Sequence, residues 1–155
     1  MISTNLRISG AYYIRTYHPG TQVLKWASPK IPNLVLFGEN RGLDLLLDRF
    51  VGNTANDVII TSLEIGTGDE APTEGDTELE AVAIAGIPRA TQEIDGKKAL
   101  IQFFVPDQDL PQDEYREVGV RMGSNLFSRA LIIPTYTKSE EEDTTFVYEL
   151  TLDNS

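Results

Sequence analysis

The stretch Asp57–Leu79, DVIITSLEIGTGDEAPTEGDTEL, is the part of the chain from which the fold class can first be inferred. Its opening part, Val58–Ile65, is rich in β-branched residues and ends at Gly66-Thr67-Gly68, which predicts a strand that runs into a tight glycine turn. Asp69–Thr77 then carries four acidic residues, a proline and a glycine. Such a composition is typical of an exposed loop. The stretch therefore predicts a β-rich domain with long polar connections.

Apolar and polar residues alternate in several other segments. Leu6–Tyr17 alternates over a dozen residues, which predicts a long strand with one buried face. Asp95-Gly96, between Arg89–Ile94 and Lys97–Val105, is the strongest short-range hairpin signal in the chain. The other predicted strands are Thr21–Ala27, Glu80–Ala85, Tyr115–Met122, Leu126–Tyr136 and Thr144–Leu152. After Glu80–Ala85 the chain is expected to bend or bulge at Gly86 and Pro88. Pro106–Glu114 and Lys138–Asp143 are predicted to be exposed loops.

One short α-helix is predicted near residues 41–51. Large apolar residues recur there at i, i+3, i+4 and i+7, so we expect one helix face to be buried against a sheet. Asn40 or Glu39 could cap the N-terminus, and Gly52 is expected to take a left-handed conformation after the C-terminus. The residues of the predicted buried face are Leu43, Leu46, Leu47 and Phe50.

These elements predict a mostly β fold in one domain that spans residues 1–155. Eight or nine half-apolar strands and a single helix favour a two-sheet β-sandwich or jelly-roll-like arrangement, because each strand needs a second layer on its apolar face. The polar ends Met1–Asn5 and Asp153–Ser155 could form short arms or simply fray.

The chain is strongly acidic. Thirteen basic residues stand against 24 acidic residues, which gives a formal net charge of −11. DNA and anionic lipid repel such a chain, so neither is predicted to be a direct partner. No apolar run approaches the ~20 residues that a membrane-spanning helix needs. The acidic residues could also serve only to keep the protein soluble.

No group of residues predicts catalysis. His18 is the only histidine and lies before Pro19-Gly20, which is the setting of an ordinary turn residue. Gly66-Thr67-Gly68 follows a strand, as phosphate-binding loops do, but it lacks the GK[ST] ending and is followed by acidic residues. We therefore predict that the protein is not an enzyme.

No cofactor or metal is predicted either. The chain has no cysteine, which excludes disulfide bonds and thiolate metal sites. Asp69–Glu78 and Asp107–Glu114 contain carboxylates that could bind calcium, but neither has the spacing of a known calcium loop. Solvated loop charge is the simpler interpretation of both segments.

Aromatic residues near the first predicted hairpin are the candidate interface residues. Tyr13 and Tyr17 fall on the polar face of Leu6–Tyr17, and Trp26 lies in the next strand. Exposed aromatic side chains can anchor a protein interface or stack on sugars. The alternative is that they are part of the core or ordinary surface residues.

Three ordered groups of residues resemble motifs of small β-rich virion proteins of tailed bacteriophages. The late strands are similar to an "E-x-G … L-F-x-R-A … K" pattern, and Val120-Arg121-Met122 departs from it where such proteins are often more apolar. The matching residues are Asn33-Leu34-Val35, Gly42-Leu43 and Leu46-Leu47; Ile65-Gly66-Thr67-Gly68, Ala71-Pro72, Asp76-Thr77 and Leu79; and Glu117-Val118-Gly119, Leu126–Ala130 and Lys138.

The resemblance implies a non-enzymatic structural protein of the virion. Its expected partners are further copies of itself, in a symmetric homo-oligomer, and other virion proteins. The expected position is the neck, tail or tail-fibre region. A capsid decoration protein and a carbohydrate-binding module that recognises a host-surface glycan are the alternatives.

Overall fold

The computed structural model describes residues 5–154, in which ten strands, all paired antiparallel, surround one core. The helix α1 covers Leu43–Phe50, and a short 3-10 helix covers Asp107–Asp109. The strands are β1 (Leu6–Tyr17), β2 (Leu24–Ala27), β3 (Ile31–Pro32), β4 (Leu34–Val35), β5 (Ser62–Gly66), β6 (Val82–Asp95), β7 (Lys98–Val105), β8 (Asp113–Met122), β9 (Asn125–Lys138) and β10 (Asp143–Asn154).

The strands form one sheet that curls until its two halves face each other. Its order is β2-β1-β10-β7-β6-β5-β8-β9-β4, and β3 pairs with β1. We call β2, β3, β1, β10, β7 and the end of β6 the first half-sheet. The start of β6 together with β5, β8, β9 and β4 is the second half-sheet.

Strand β6 is the corner between the two half-sheets. Its first part pairs with β5 up to Pro88, and from Arg89 onward it pairs with β7. The pairing is irregular on both sides of this point, and Gly86 has a positive φ of 71°. Irregular pairing and a residue free to take positive φ let a strand bend sharply. The sequence predicted a bend near Gly86 and Pro88 but two separate strands, whereas the chain forms one.

The core lies between the half-sheets. Tyr12 of β1 reaches across it, and its hydroxyl lies 2.7 Å from the Ser128 Oγ of β9. Tyr148 of β10 packs beside Tyr12, with ring centroids 4.8 Å apart, and accepts a 3.0 Å hydrogen bond from Asn33 Nδ2. Asn33 is the single residue between β3 and β4, so this bond holds the point where the chain crosses from one half-sheet to the other.

The predicted fold class is confirmed: the chain is mostly β with one short helix. The bounds Leu6–Tyr17 are those predicted, and the hairpin of β6 and β7 turns at Gly96-Lys97, between paired Asp95 and Lys98. The predicted strand Thr21–Ala27 is shorter, since only Leu24–Ala27 is strand.

The helix differs from the prediction in its N-terminus and its buried face. Gly42 is the N-cap residue and makes no side-chain cap bond, whereas the Asn40 side chain accepts a hydrogen bond from Asn56 instead. Leu45 is the buried helix residue, while Leu47 and Phe50 of the predicted face are exposed and Leu43 and Leu46 are half-buried. The expectation for Gly52 is confirmed, since its φ is +88°.

The two ends of the chain take part in the first half-sheet as far as they are described. Asp153 and Asn154 belong to β10 and pair with Arg7 and Leu6. Met1–Thr4 and Ser155, which the sequence assigned to terminal arms, lie outside the described residues.

Candidate functional site

Residues of the second and third motif groups meet at one place on the outer face of the second half-sheet. Glu117 of β8 is fully buried there, beneath the loop that follows β5. Its Oε2 accepts the backbone N–H groups of Gly68 and Ala81, each at 2.8 Å. Its Oε1 accepts the N–H of Glu80 at 2.8 Å. These three hydrogen bonds fix both ends of the loop to one side chain of β8.

Arg129 of β9 completes this arrangement. Its Nη2 donates to Glu117 Oε1 at 3.2 Å and to the backbone oxygen of Glu70 at 3.0 Å, and its Nη1 donates to Asp76 Oδ2 at 2.8 Å. The Arg129 side chain is only 3% exposed. We call Glu117, Arg129 and Asp76 with their backbone partners the Glu117–Arg129 network.

Asp76 links the network to the tip of the loop. Its carboxylate accepts the N–H and the hydroxyl of Thr73 at 2.8 and 2.7 Å. Burial raises the pKa of this carboxyl, but the hydrogen bonds from Thr73 and the charge of Arg129 outweigh that effect, and the net pKa is lowered. The loop is therefore held at Gly68, Glu70, Asp76 and Glu80-Ala81.

The glycine at position 68 is required by the distance between loop and strand. A Cβ on Gly68 would lie 2.4 Å from Glu117 Oε2, which no side chain permits. Only glycine lets the loop backbone approach the carboxylate closely enough to donate to it. The Gly-Thr-Gly segment thus binds a carboxylate of its own chain.

Lys138 forms a second buried ionic contact. Its ammonium group donates to Asp107 Oδ1 at 2.7 Å and to the backbone oxygens of Asp107 and Leu110. The hydrogen bonds from Lys138 and from the Glu142 N–H lower the pKa of Asp107. The sequence predicted Lys138–Asp143 to be exposed, which is wrong at Lys138, Glu142 and Asp143. Lys138 and Asp143 are buried because their side chains bond backbone groups of neighbouring turns, and Glu142 because its carboxylate binds the Tyr136 hydroxyl and Lys25.

Four tyrosine hydroxyls lie in apolar surroundings. Burial raises the pKa of Tyr148 and of Tyr115 to about 12. Burial also raises the pKa values of Tyr12 and Tyr136, the first further increased by Tyr148 and the second by its hydrogen bond to Glu142. All four hydroxyls are hydrogen-bonded in the fold, so they stabilise it in their neutral form.

The predicted candidate interface residues do not share one surface. Tyr13 and Tyr17 are half-buried on the outer face of the first half-sheet. Trp26 pairs with the buried Thr16, so it lies on the opposite face and stacks on Tyr136 with ring centroids 5.8 Å apart.

Trp26 and Tyr136 form part of an open cleft of about 410 Å³. Lys25 lies in it, within 3.5 Å of the carboxylates of Glu140 and Glu142. The hydroxyl of Thr16, which also borders the cleft, is buried and has no hydrogen-bond partner among the described residues. The cleft combines an aromatic wall with polar groups.

His18 is exposed, and its backbone closes the turn between β1 and β2 through hydrogen bonds with Val23 and Thr21. Within residues 5–154 no three His, Asp or Glu side chains are grouped so that they could hold a metal ion. The described part of the chain contains no helix long and apolar enough to cross a membrane.

Among the surfaces that expose large apolar side chains, two carry several of them close together. The first is the end of the helix, where Leu47, Phe50 and Val51 are exposed. The second is the end of the first half-sheet. There the core-facing side of the strands extends beyond the second half-sheet, so its apolar side chains are exposed. We call residues 6–9 of β1, residues 93–99 at the tip of the β6–β7 hairpin and residues 150–154 of β10 the sheet extension.

Sequence patterns found the members of the Glu117–Arg129 network as separate motifs but gave no sign that they touch. Glu117 and Gly68 are 49 positions apart, and no spacing rule relates them. The sheet extension was missed because each of its strands continues a regular alternating pattern. The one available signal was Ile94, an apolar residue directly before a hairpin turn.

Comparisons of the chain with protein-family models, with curated proteins and with solved structures found no match.

Proposed function

We propose that this chain is a non-enzymatic structural protein of a tailed-bacteriophage virion, which assembles as a symmetric homo-oligomer with other virion proteins in the neck, tail or tail-fibre region. The observation that carries the proposal is the contact between the motif groups of the resemblance. The Gly-Thr-Gly loop, the E-x-G strand and the L-F-x-R-A strand are joined in one hydrogen-bonded network. Residues that occur as an ordered set and also bind one another act as one structural unit.

A structural role also agrees with the use of the ionisable groups. The two oxygens of the Glu117 carboxylate accept hydrogen bonds from backbone N–H groups and Arg129. The Lys138 ammonium group donates its hydrogen bonds to Asp107 and Leu110. Groups that act as general acids or bases must be able to reach a substrate. These groups hold loops in position, as a protein that must keep its shape in a large assembly requires.

The test is mass spectrometry of purified particles of a phage that encodes the chain. The proposal expects the protein in stoichiometric amount relative to the other structural proteins, and its absence from the particles would refute the proposal. Copy number separates the variants: a capsid decoration protein would be present in many more copies than a neck or tail protein.

Carbohydrate binding is the second candidate, and the cleft beside Trp26 is the observation that favours it. Aromatic rings stack on sugar rings, and Lys25, Glu140 and Glu142 offer hydrogen-bonding groups in the same cleft. A glycan array with the intact protein tests it. Binding that is lost in Trp26→Ala and kept in Tyr13→Ala would support this candidate, and an array without signal above background would reject it.

A further inference from the structure

The sheet extension presents an apolar face that no described element covers. Residues that pair across strands lie on the same side of a sheet, so Gly10, Leu150, Ala99 and Ile94 continue the row of the core residues. Burial falls along the strands: Tyr12 and Tyr148 are fully buried, whereas Leu152 is 46%, Leu6 62% and Ile94 83% exposed. The apolar residues of this face are Leu6, Ile8, Ile94, Ala99, Leu150 and Leu152.

The edge of β1 beside this face is also open. Within the described residues β2 and β3 pair only with positions 11–12 and 15–17 of β1. The Gly10 carbonyl accepts the Asn33 N–H on the side away from β10. Because backbone groups alternate in direction along a strand, those of Leu6 and Ile8 also point to this side. Open edges next to apolar faces are sites where chains associate.

The charge of the sheet extension differs from that of the rest of the molecule. The extension carries Arg7, Lys97 and Lys98 against Glu93, Asp95 and Asp153, so its net charge is zero in a chain of net charge −11. Two copies of so acidic a protein repel each other over most of their surfaces. The strand residues among these charges lie on the opposite side of the sheet from Ile94 and Leu152. The apolar face itself therefore carries no charged strand residue, and two copies meet there without net repulsion.

We propose that a second copy of this chain packs on the sheet extension, extension against extension, around a twofold axis. Each extension takes the place of the layer that the other lacks, which buries Leu6, Leu152 and Ile94 of both copies. This inference rests on the proposed function, for which it names the surface of self-association. An isologous contact of this kind uses the same residues on both copies.

The size of the face sets the strength of the contact. The strand residues of the sheet extension, about 3.3 Å apart along strands spaced about 4.8 Å, give a face of roughly 200 Å². A standard interface buries about 800 Å² on each partner. We therefore expect weak association in free solution, with a dissociation constant of about 10–100 µM. The high local concentration in a particle would shift this equilibrium toward the dimer.

The exposed end of the helix fits a second copy less well. The segment 39–57 around Leu47, Phe50 and Val51 carries four acidic and two basic residues, so two such surfaces repel each other. This surface nevertheless supplies the matched control, because Val51 is 84% exposed and Ile94 83%.

The experiment is sedimentation equilibrium of the full chain at about 1–500 µM, in wild type and in the variants Ile94→Lys and Val51→Lys. Both substitutions place the same charge at an equally exposed aliphatic residue. We expect a monomer–dimer equilibrium in wild type, a dissociation constant at least about 10-fold larger in Ile94→Lys, and an unchanged constant in Val51→Lys.

A wild type that stays monomeric over this range overturns the inference, and so does an equal loss of dimer in both variants. Mass spectrometry of purified particles distinguishes a failure of this inference from a failure of the proposed function. A chain present in virions but monomeric in solution rejects the inference alone. A chain absent from virions whose dimer is lost in Ile94→Lys rejects the proposed function alone.

Discussion

The outer face of the second half-sheet and the sheet extension of the first half-sheet use opposite chemistry. On the outer face, charged side chains are buried and a loop closes over them, so that every oxygen of Glu117 has a donor. On the sheet extension, aliphatic side chains continue the core and stay exposed. The first region is complete within one chain, whereas the second has the surface of a core without its second layer.

The motif residues and the exposed apolar residues therefore occupy different parts of this molecule. The ionisable residues that attract attention as motifs are bound to backbone groups of their own chain. The apolar face of the sheet extension, by contrast, carries no motif and consists of leucine, isoleucine and alanine residues. Substitutions that remove contacts of the Glu117–Arg129 network should therefore change the stability of the fold. Substitutions in the sheet extension should change self-association.

The largest effect is expected from Arg129→Ala. The substitution leaves the fully buried Glu117 carboxylate without its counter-ion, and removing one partner of a buried ion pair costs about 3–5 kcal/mol. Denaturant unfolding should show this loss in the free energy of unfolding. Arg116→Ala is the control, because Arg116 pairs with Glu114 at the exposed end of the same sheet and should change that value by less than about 1 kcal/mol. Equal effects of the two variants would contradict the role of the network.

The next effect is a loss of stability at high pH. Tyr115 and Tyr148 have folded pKa values of about 12 against an ordinary value of 10.0, so between these values the unfolded state releases protons that the folded state retains. Stability from these groups is complete below pH 10 and falls as the pH rises toward 12. We expect Tyr115 and Tyr148 to contribute a loss of roughly 1–3 kcal/mol between pH 9 and pH 11, and Tyr12 and Tyr136, whose pKa values are also raised, to add to it. The unfolding free energy measured across this range checks it, and Tyr148→Phe should flatten the decline.

A smaller effect is expected from Tyr12→Phe. The variant keeps the ring in the core and removes only the hydroxyl that contacts Ser128 across the two half-sheets. Loss of one buried hydrogen bond costs about 1 kcal/mol. The double variant with Ser128→Ala measures the coupling, and additive effects of the two substitutions would show that this contact does not join the half-sheets.

The smallest effect on folding is expected from Ile94→Lys. Because the side chain is 83% exposed, the free energy of unfolding of the dilute monomer should change by less than about 0.5 kcal/mol. Thermal unfolding at low concentration, where the chain is monomeric, measures it. A large loss would mean that Ile94 belongs to the monomer core and would remove the contrast between the two regions.

Sequence patterns predicted those parts of the fold that local chemistry determines. The bounds of β1 follow from strict alternation, and the β6–β7 hairpin follows from Asp95-Gly96. The continuity of β6 could not be predicted, because glycine and proline residues such as Gly86 and Pro88 occur at the ends of strands as well as at bends within them. The predicted buried face of the helix was wrong in part: Leu45 is the fully buried residue and Leu46 packs against the core, whereas Leu47 and Phe50 are exposed.

For the candidate site, the sequence supplied residues but no contacts. Glu117, Arg129 and Lys138 stand out as motif positions, yet their partners lie far along the chain or in the backbone. The grouping of Tyr13, Tyr17 and Trp26 rested on closeness in sequence. Because side chains alternate between the two sides of a strand, Trp26 lies on the opposite face of the sheet from Tyr13 and Tyr17.

Hydrogen–deuterium exchange as a function of protein concentration compares the two regions in one measurement. We predict that the amides of Gly68, Glu80 and Ala81, which Glu117 binds, are protected equally at all concentrations. Amides of residues 6–9 and 150–154 should become more protected as the concentration passes about 10–100 µM, because packing of a second copy suppresses local opening. Protection of the sheet extension that does not depend on concentration, or a concentration dependence confined to the loop, would contradict the account.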